Sequence, residues 1–277
     1  SNALPDLFFR KRSGTGVVPK GVRRLTRQKL FKPEGSNVLA QRTFVFCIVL
    51  TLAVFGLPAC GKRPEPPKKS SLELDQAISK VNKTLEADPK DPRAYYYRGS
   101  LYSLKGDLDP ALSDLDKAIE LDPRNSDAYG NRGVVHARRD ETDKAMKDFK
   151  KAVEINPSNA SAHYNQGFLY AKEGEVDRAL SSFERSIALD PSQASSYVHA
   201  AYAYGKKGNL NKALAYFDRA LEIDPGNLGA YQGRAFAYFE ERNYGKCWDN
   251  VRKMGSLGGK MTEGFVDSLK KVSGITD

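Results

Sequence analysis

From Leu72 onward the chain repeats its apolar and polar positions every 34 residues. Pro89, Pro123, Pro157, Pro191 and Pro225 mark the period, and each follows an aspartate or asparagine: Asp88, Asp122, Asn156, Asp190 and Asp224. A residue before proline is driven out of helical geometry, so each pair predicts the end of a helix and a turn. Between these marks Gly99, Gly133, Gly167, Ala201 and Ala235 share one column, and Ala111, Ala145, Ala179, Ala213 and Cys247 another. Two columns of small side chains predict two antiparallel helices in close approach. Large residues fill the space around them: Tyr95, Tyr129, His163, Tyr197 and Tyr231 in one column, Leu115, Phe149, Phe183, Phe217 and Val251 in a second, and Tyr102, His136, Tyr170, Tyr204 and Tyr238 in a third. Gly106, Gly174 and Gly208 fall between the two helices of their repeats, where a left-handed cap is wanted, and Asp140 and Arg242 hold the same place in the other two. Such a period predicts an array of helix pairs, each burying its face on the next.

These columns closely resemble the tetratricopeptide repeat pattern of aromatic, glycine, aromatic, alanine, aromatic, alanine and proline. The resemblance covers residues 92–259, with four full repeats and a fifth that departs at Cys247, Met254 and Gly259. A terminal unit need not pack a successor, which fits that departure. Residues 72–91 match the second half of a repeat and predict a capping helix. Residues 260–277 predict a closing helix with Phe265, Val266 and Leu269 turned inward. The resemblance implies an all-α fold, a right-handed superhelix of antiparallel helix pairs with a concave face, capped at both ends.

Upstream the pattern changes. Between Arg42 and Lys62 lie 19 uncharged residues, of which 44–57 are strongly apolar. That is short for a membrane span and suits the hydrophobic region of a secretion signal. The next residues, Leu57-Pro58-Ala59-Cys60, resemble the lipobox of bacterial lipoproteins, in which cleavage exposes a cysteine that carries a diacylglycerol. Residues 38–59 then read as a lipoprotein signal and Cys60 as the lipid attachment site. Residues 60–71 form a tether rich in proline and lysine. Residues 1–3 resemble a tag scar, and 4–37 a basic leader outside the working protein.

Charge supports the division. Of 44 Lys+Arg and 34 Asp+Glu, residues 1–60 hold 10 and 2, which leaves 34 against 32 in the remainder. The basic excess belongs to the leader, so a nucleic-acid function loses its electrostatic basis. Cys247 is the one cysteine beyond Cys60, which excludes a disulfide framework in the body. The three histidines fall in three different repeats, and His136 and His163 occupy tyrosine columns, which points to packing rather than metal binding. The acidic residues read mostly as solvated partners of lysines on helix exteriors. No catalytic constellation, cofactor motif or small-molecule site stands out, and the expectation is a non-enzyme.

Function is then expected on the concave face, which in the family is lined by the first helix of each repeat. The columns there run Tyr96 and Tyr97, Gly130 and Asn131, Tyr164 and Asn165, Val198 and His199, Gln232 and Gly233. One turn on come Ser100, Val134, Phe168, Tyr202 and Phe236, then Leu104, Arg138, Lys172, Lys206 and Glu240. Asn131 and Asn165 are expected to stack as a ladder, since an amide both donates and accepts and can hold an extended peptide backbone. Tyr164, Phe168, Tyr202 and Phe236 would supply apolar pockets beside it, rimmed by Arg138, Lys172 and Lys206, with Tyr96 and His199 also in the candidate groove. The family's C-terminal carboxylate clamp finds one counterpart here, Asn131. The expected role is a lipid-anchored adaptor in the bacterial envelope, on the periplasmic face of the outer membrane, binding a protein or peptide. The alternative is a pilotin-like assembly factor for a pilus or secretion machine.

Overall fold

The computed structural model describes residues 71–275. The expected leader and signal, Cys60 and the expected tether up to residue 70 lie outside the described residues, and Ser71, the last residue of that tether, opens the first helix. Those described form α1 (Ser71–Ala87), α2 (Pro92–Lys105), α3 (Leu108–Leu121), α4 (Ser126–Arg138), α5 (Thr142–Ile155), α6 (Ala160–Lys172), α7 (Val176–Leu189), α8 (Ala194–Lys206), α9 (Leu210–Ile223), α10 (Leu228–Glu240), α11 (Tyr244–Ser256) and α12 (Glu263–Ser273). Consecutive helices from α2 to α11 pack as five hairpins, and each second helix also packs on the first helix of the next repeat. First helices touch one another in turn, α2 to α4, α4 to α6, α6 to α8 and α8 to α10, which makes them the inner layer. This is an all-α repeat solenoid with α1 and α12 closing its ends.

The Asx-Pro pairs act as expected, and the mechanism is a double use of polar side chains. The side chains of Asp88, Asp122, Asn156, Asp190 and Asp224 each accept from the backbone N–H two residues on, which turns the chain out of the helix. Three residues after four of these five, Asp91, Asn125, Asn159 and Asn227 cap the next helix by accepting from its first-turn N–H groups, whereas Gln193, after Asp190, makes no such cap. The left-handed residues between paired helices are Gly106, Asp140, Gly174, Gly208 and Arg242, all at positive φ.

The glycine column sets the hairpin spacing. A Cβ on Gly133 would stand 2.6 Å from the Phe149 ring, and one on Gly167 would stand 2.8 Å from Phe183. Phe149, Phe183 and Phe217 are almost wholly buried, so these rings are the centre of the core. In the fourth repeat the column carries Ala201, and the tight approach moves. Phe217 there lies edge-on to Tyr202 at 5.1 Å, and a Cβ on Gly233 of the following helix would meet its ring at 2.1 Å. Met254 is a similar exchange: it is buried in place of a small residue, and Gly259 makes room for it in the proline column.

Two acidic residues depart from the solvated majority. Asp114 and Asp148 are buried, and each receives two hydrogen bonds from an arginine of the paired first helix, Arg98 and Arg132. Each arginine also reaches the preceding second helix, Arg98 to Asn82 and Arg132 to Asp116. Arg234 repeats the arrangement with Asn250 and Asp218. A guanidinium fork can hold two partners at once, so one residue ties three helices. The third and fourth repeats have Gln166 and Ala200 instead.

Candidate functional site

The inner face is built from one register of each first helix, and the structure shows which of its residues the fold itself consumes. Asn131 donates to Ser100 Oγ at 2.7 Å across the α2–α4 joint, and the Ser100 hydroxyl in turn donates to the Tyr96 carbonyl. Burial is the main reason the Tyr96 phenol is pushed above its ordinary range. The expected asparagine ladder is therefore not formed, because the Asn131 amide is engaged within the chain. Asn165, one repeat on, is half-buried, and its side chain makes no hydrogen bond within the described residues.

The expected aromatic pockets are largely filled. Tyr164, Phe168 and Phe183 surround the His199 ring at centroid distances of 5.4, 5.7 and 5.6 Å. His199 Nδ1 donates to the Ser195 carbonyl at 2.8 Å. Desolvation among these rings lowers the imidazole pKa, against the pull of the Ser195 carbonyl, so the ring is neutral at pH 7. Burial also raises the Tyr164 phenol. Tyr202 is buried, donates to the Gly229 carbonyl at 2.8 Å and is pushed far up by burial. Phe236 is buried under the closing helix, with Phe265 edge-on at 4.5 Å. Tyr202 and Phe236 are thus core residues rather than pocket walls, because the joints between first helices need apolar filling.

Of the basic rim, Arg138 donates to the Ser103 carbonyl of the preceding repeat, and Lys172 pairs with Asp140 at 3.1 Å. Lys206 has no ion-pair partner among the described residues. The most exposed apolar groups on the inner helices are Tyr97 and Leu104 of α2, at 58% and 72%. They stand in the same columns as Asn131 and Arg138 but were outside the candidate set. Their signal in the sequence was the column itself, since α2 has no preceding first helix to cover it.

The other two histidines and Cys247 sit in contacts within the chain. His163 Nε2 lies 3.1 Å from the Pro157 carbonyl, where Tyr95 and Tyr231 place their hydroxyls on Pro89 and Pro225. His136 Nδ1 meets Glu141 at 2.7 Å. Burial pushes the Cys247 thiol up to about 12. Among the described residues no group of three or more His, Cys, Asp or Glu side chains could hold a metal, and no helix is long and apolar enough to cross a membrane.

Comparisons with known proteins agree with this geometry. Family models described as tetratricopeptide repeats match residues 92–125, 115–147, 160–193 and 194–227, and one described as a TPR repeat matches 138–174. Among solved structures, MamA is 30% identical, with 57% of this chain and 92% of that chain covered and a TM-score of 0.49. YrrB, described as a TPR protein with an unusual peptide-binding site, is 23% identical over 70% of this chain and 98% of that one, at a TM-score of 0.54. The pilF protein of Pseudomonas aeruginosa is 21% identical over 68% and 87% respectively, at 0.62. No curated protein matches significantly.

Proposed function

The chain belongs to the tetratricopeptide repeat family, and from that premise we propose that it is a protein-interaction scaffold that holds an extended segment of a partner protein on its inner face. The observation that carries this reading is the unspent polarity there. Asn165 presents a half-buried amide without a partner, and Lys206 an ammonium without a counter-ion, both on helices held rigidly by the joints on either side. Both side chains keep partial access to water, and a ligand that replaces that water can take up their hydrogen bonds. An extended backbone supplies the matching donors and acceptors, and an acidic side chain suits Lys206.

The scaffold is further proposed to act at a membrane in the bacterial envelope. Support comes from the sequence alone: the apolar segment of residues 44–57, the Leu57-Pro58-Ala59-Cys60 box, and the proline-rich tether that leads into α1. A tether of this kind extends by roughly 3 Å per residue and would hold the solenoid off the bilayer.

The test is capture of partners from envelope extract by the intact protein and by an Asn165→Ala/Lys206→Ala variant. The variant is expected to lose about 0.5–1.5 kcal/mol of binding per hydrogen bond, with an unchanged melting temperature. Lys147→Ala, on the exposed outer side of α5, is expected to change neither. Equal capture by both proteins would move the binding surface off this face. Several soluble enzymes in the captured set would support an adaptor, and one dominant membrane component an assembly factor.

A further inference from the structure

The outer face repeats one contact that the first repeat does not make. In the last three repeats a cation lies over the ring of the Tyr102 column: Arg178 over Tyr170 at 4.1 Å, Lys212 over Tyr204 at 4.9 Å and Lys246 over Tyr238 at 5.2 Å. Each cation stands eight residues after its tyrosine, in the first turn of the second helix, and the ring's negative face attracts its charge. In the second repeat the ring is His136, and Lys144 pairs with Glu141, which His136 also meets. In the first repeat the ring is Tyr102, and the residue eight on is Pro110, which carries no charge.

Where the later repeats place that long side chain, the first has a cavity of about 480 Å³ between α1, α2 and α3. Tyr102 is half-buried in its wall, Leu85 and Pro110 supply apolar surface, and Glu86 is exposed. The wall carries one positive group, Arg98, and two negative ones, Asp114 and Glu86, a net of −1. Arg98 is already committed. Its fork holds Asp114 at 2.7 and 2.8 Å, its remaining nitrogen reaches Asn82, and its guanidinium lies over the Tyr95 ring rather than that of Tyr102. Glu86 has no ion-pair partner among the described residues. Its counterparts Glu120, Glu154 and Glu222 each pair with the basic residue three positions before them. One carboxylate of the wall is thus left over beside an uncovered aromatic face.

We propose that this cavity binds a lysine or arginine side chain of a partner protein, with its charged head over the Tyr102 ring and beside Glu86, and its methylene stem along Leu85 and Pro110. The later repeats show that the geometry accepts both residue types, since they cover the equivalent ring with their own Arg178, Lys212 and Lys246. A stem on apolar surface with its head towards water is also how long cationic side chains pack. The cavity lies between second helices, on the outer side of the solenoid, so its occupant is independent of a segment held on the inner face.

The experiment follows the amide resonances of the isotope-labelled full chain as it is titrated with the peptide acetyl-Gly-Gly-Arg-Gly-Gly-amide. The control is the same peptide with citrulline, which is neutral and nearly the same shape as arginine. The arginine peptide is expected to shift the Ser113 amide, in the cavity wall, saturably, and the citrulline peptide to leave it in place. Glu86→Gln, and Tyr102→Leu, which keeps an apolar side chain but removes the ring, are each expected to weaken binding about two- to fivefold. Pro110→Lys gives the first repeat the residue of the fourth and fifth and is expected to abolish the shift. Amide dispersion in the same spectra reports that each variant is folded. Equal shifts with both peptides, or binding that Pro110→Lys leaves unchanged, would overturn the proposal. So would no binding at all. A gain in affinity on replacing Lys62, Arg63, Lys68 and Lys69 with glutamine would overturn it too, since the occupant would then be the same chain.

Discussion

At the scale of single residues, the inner face separates side chains that the fold consumes from those it leaves available, and His199 shows how sharply. Its ring is enclosed by Tyr164, Phe168 and Phe183, and its one strong hydrogen bond goes to a backbone carbonyl. The folded protein therefore holds it neutral, with a pKa depressed below the ordinary 6.5 chiefly by desolvation. The consequence for stability has a definite sign. Above about pH 7 the ring is neutral in both folded and unfolded chains, and it makes no pH-dependent contribution. As pH falls through the ordinary histidine range, the unfolded chain takes up a proton that the folded chain refuses, so stability falls until the depressed folded value is reached. Chemical denaturation of the wild type between pH 7 and pH 5 should show this loss, with a slope of up to about 1.4 kcal/mol per pH unit from this one group. His199→Phe keeps a ring in the cluster and removes the titration, so the difference between the two proteins should shrink as pH falls. Parallel curves would show that His199 titrates alike in the folded and unfolded chains, and a difference that widens in favour of the wild type as pH falls would show a ring held protonated by the fold.

At the scale of helices, packing turns on where a second backbone comes close. Gly233 lies against the Phe217 ring, at 2.1 Å for an added Cβ, whereas a Cβ on Gly130 would meet nothing within 4 Å. The same substitution should therefore have opposite signs at the two sites. Gly233→Ala forces Phe217 out of a buried position and is expected to cost about 1–3 kcal/mol. Gly130→Ala, inside α4 and facing open space, is expected to gain about 0.5–1 kcal/mol by lowering the entropy of the unfolded chain. Urea unfolding of both variants checks the pair, and two losses of equal size would refute this account of the spacing. Much of this level was legible in the sequence, because Asx-Pro pairs, small columns and aromatic columns each leave a mark every 34 residues. Gly233 was not, since it stands two residues ahead of its column and matters only because Ala201 has replaced glycine one repeat earlier. The arginine ties were also missed. Arg98, Arg132 and Arg234 recur at the repeat period, but Gln166 and Ala200 interrupt the column, and their partners lie 16 residues away on both sides. The candidate site was half legible: the register of the inner face could be read, but not that Asn131, Tyr202 and Phe236 are spent on joints between repeats.

At the scale of the whole molecule, a solenoid has a direction, and the two ends do different work. The described residues begin at α1, next to the α2 terminus: Asp75 of α1 pairs with Lys105 at 2.8 Å. Any anchor upstream of Ser71 therefore enters at the apolar start of the superhelix, while the closing helix seals the far end with Phe265 and Leu269. In the proposed function that anchor is the apolar stretch of residues 44–57 followed by Cys60. If Cys60 carries a diacylglycerol, each buried methylene contributes roughly 0.8 kcal/mol, and two chains together make attachment effectively stable, which a polar tether does not. Cleavage before the cysteine depends on its sulfur having been modified first, so Cys60→Ala should remain as a larger, unprocessed precursor in the native host. Mass spectrometry of wild type and variant, each recovered from membranes, measures this directly. Wild type should begin at Cys60 and carry the mass of its acyl groups, and the variant should retain residues upstream of 60. A variant processed to the same polypeptide mass as wild type would remove the lipid anchor from the proposed function, and the solenoid would then have to reach its partners from solution.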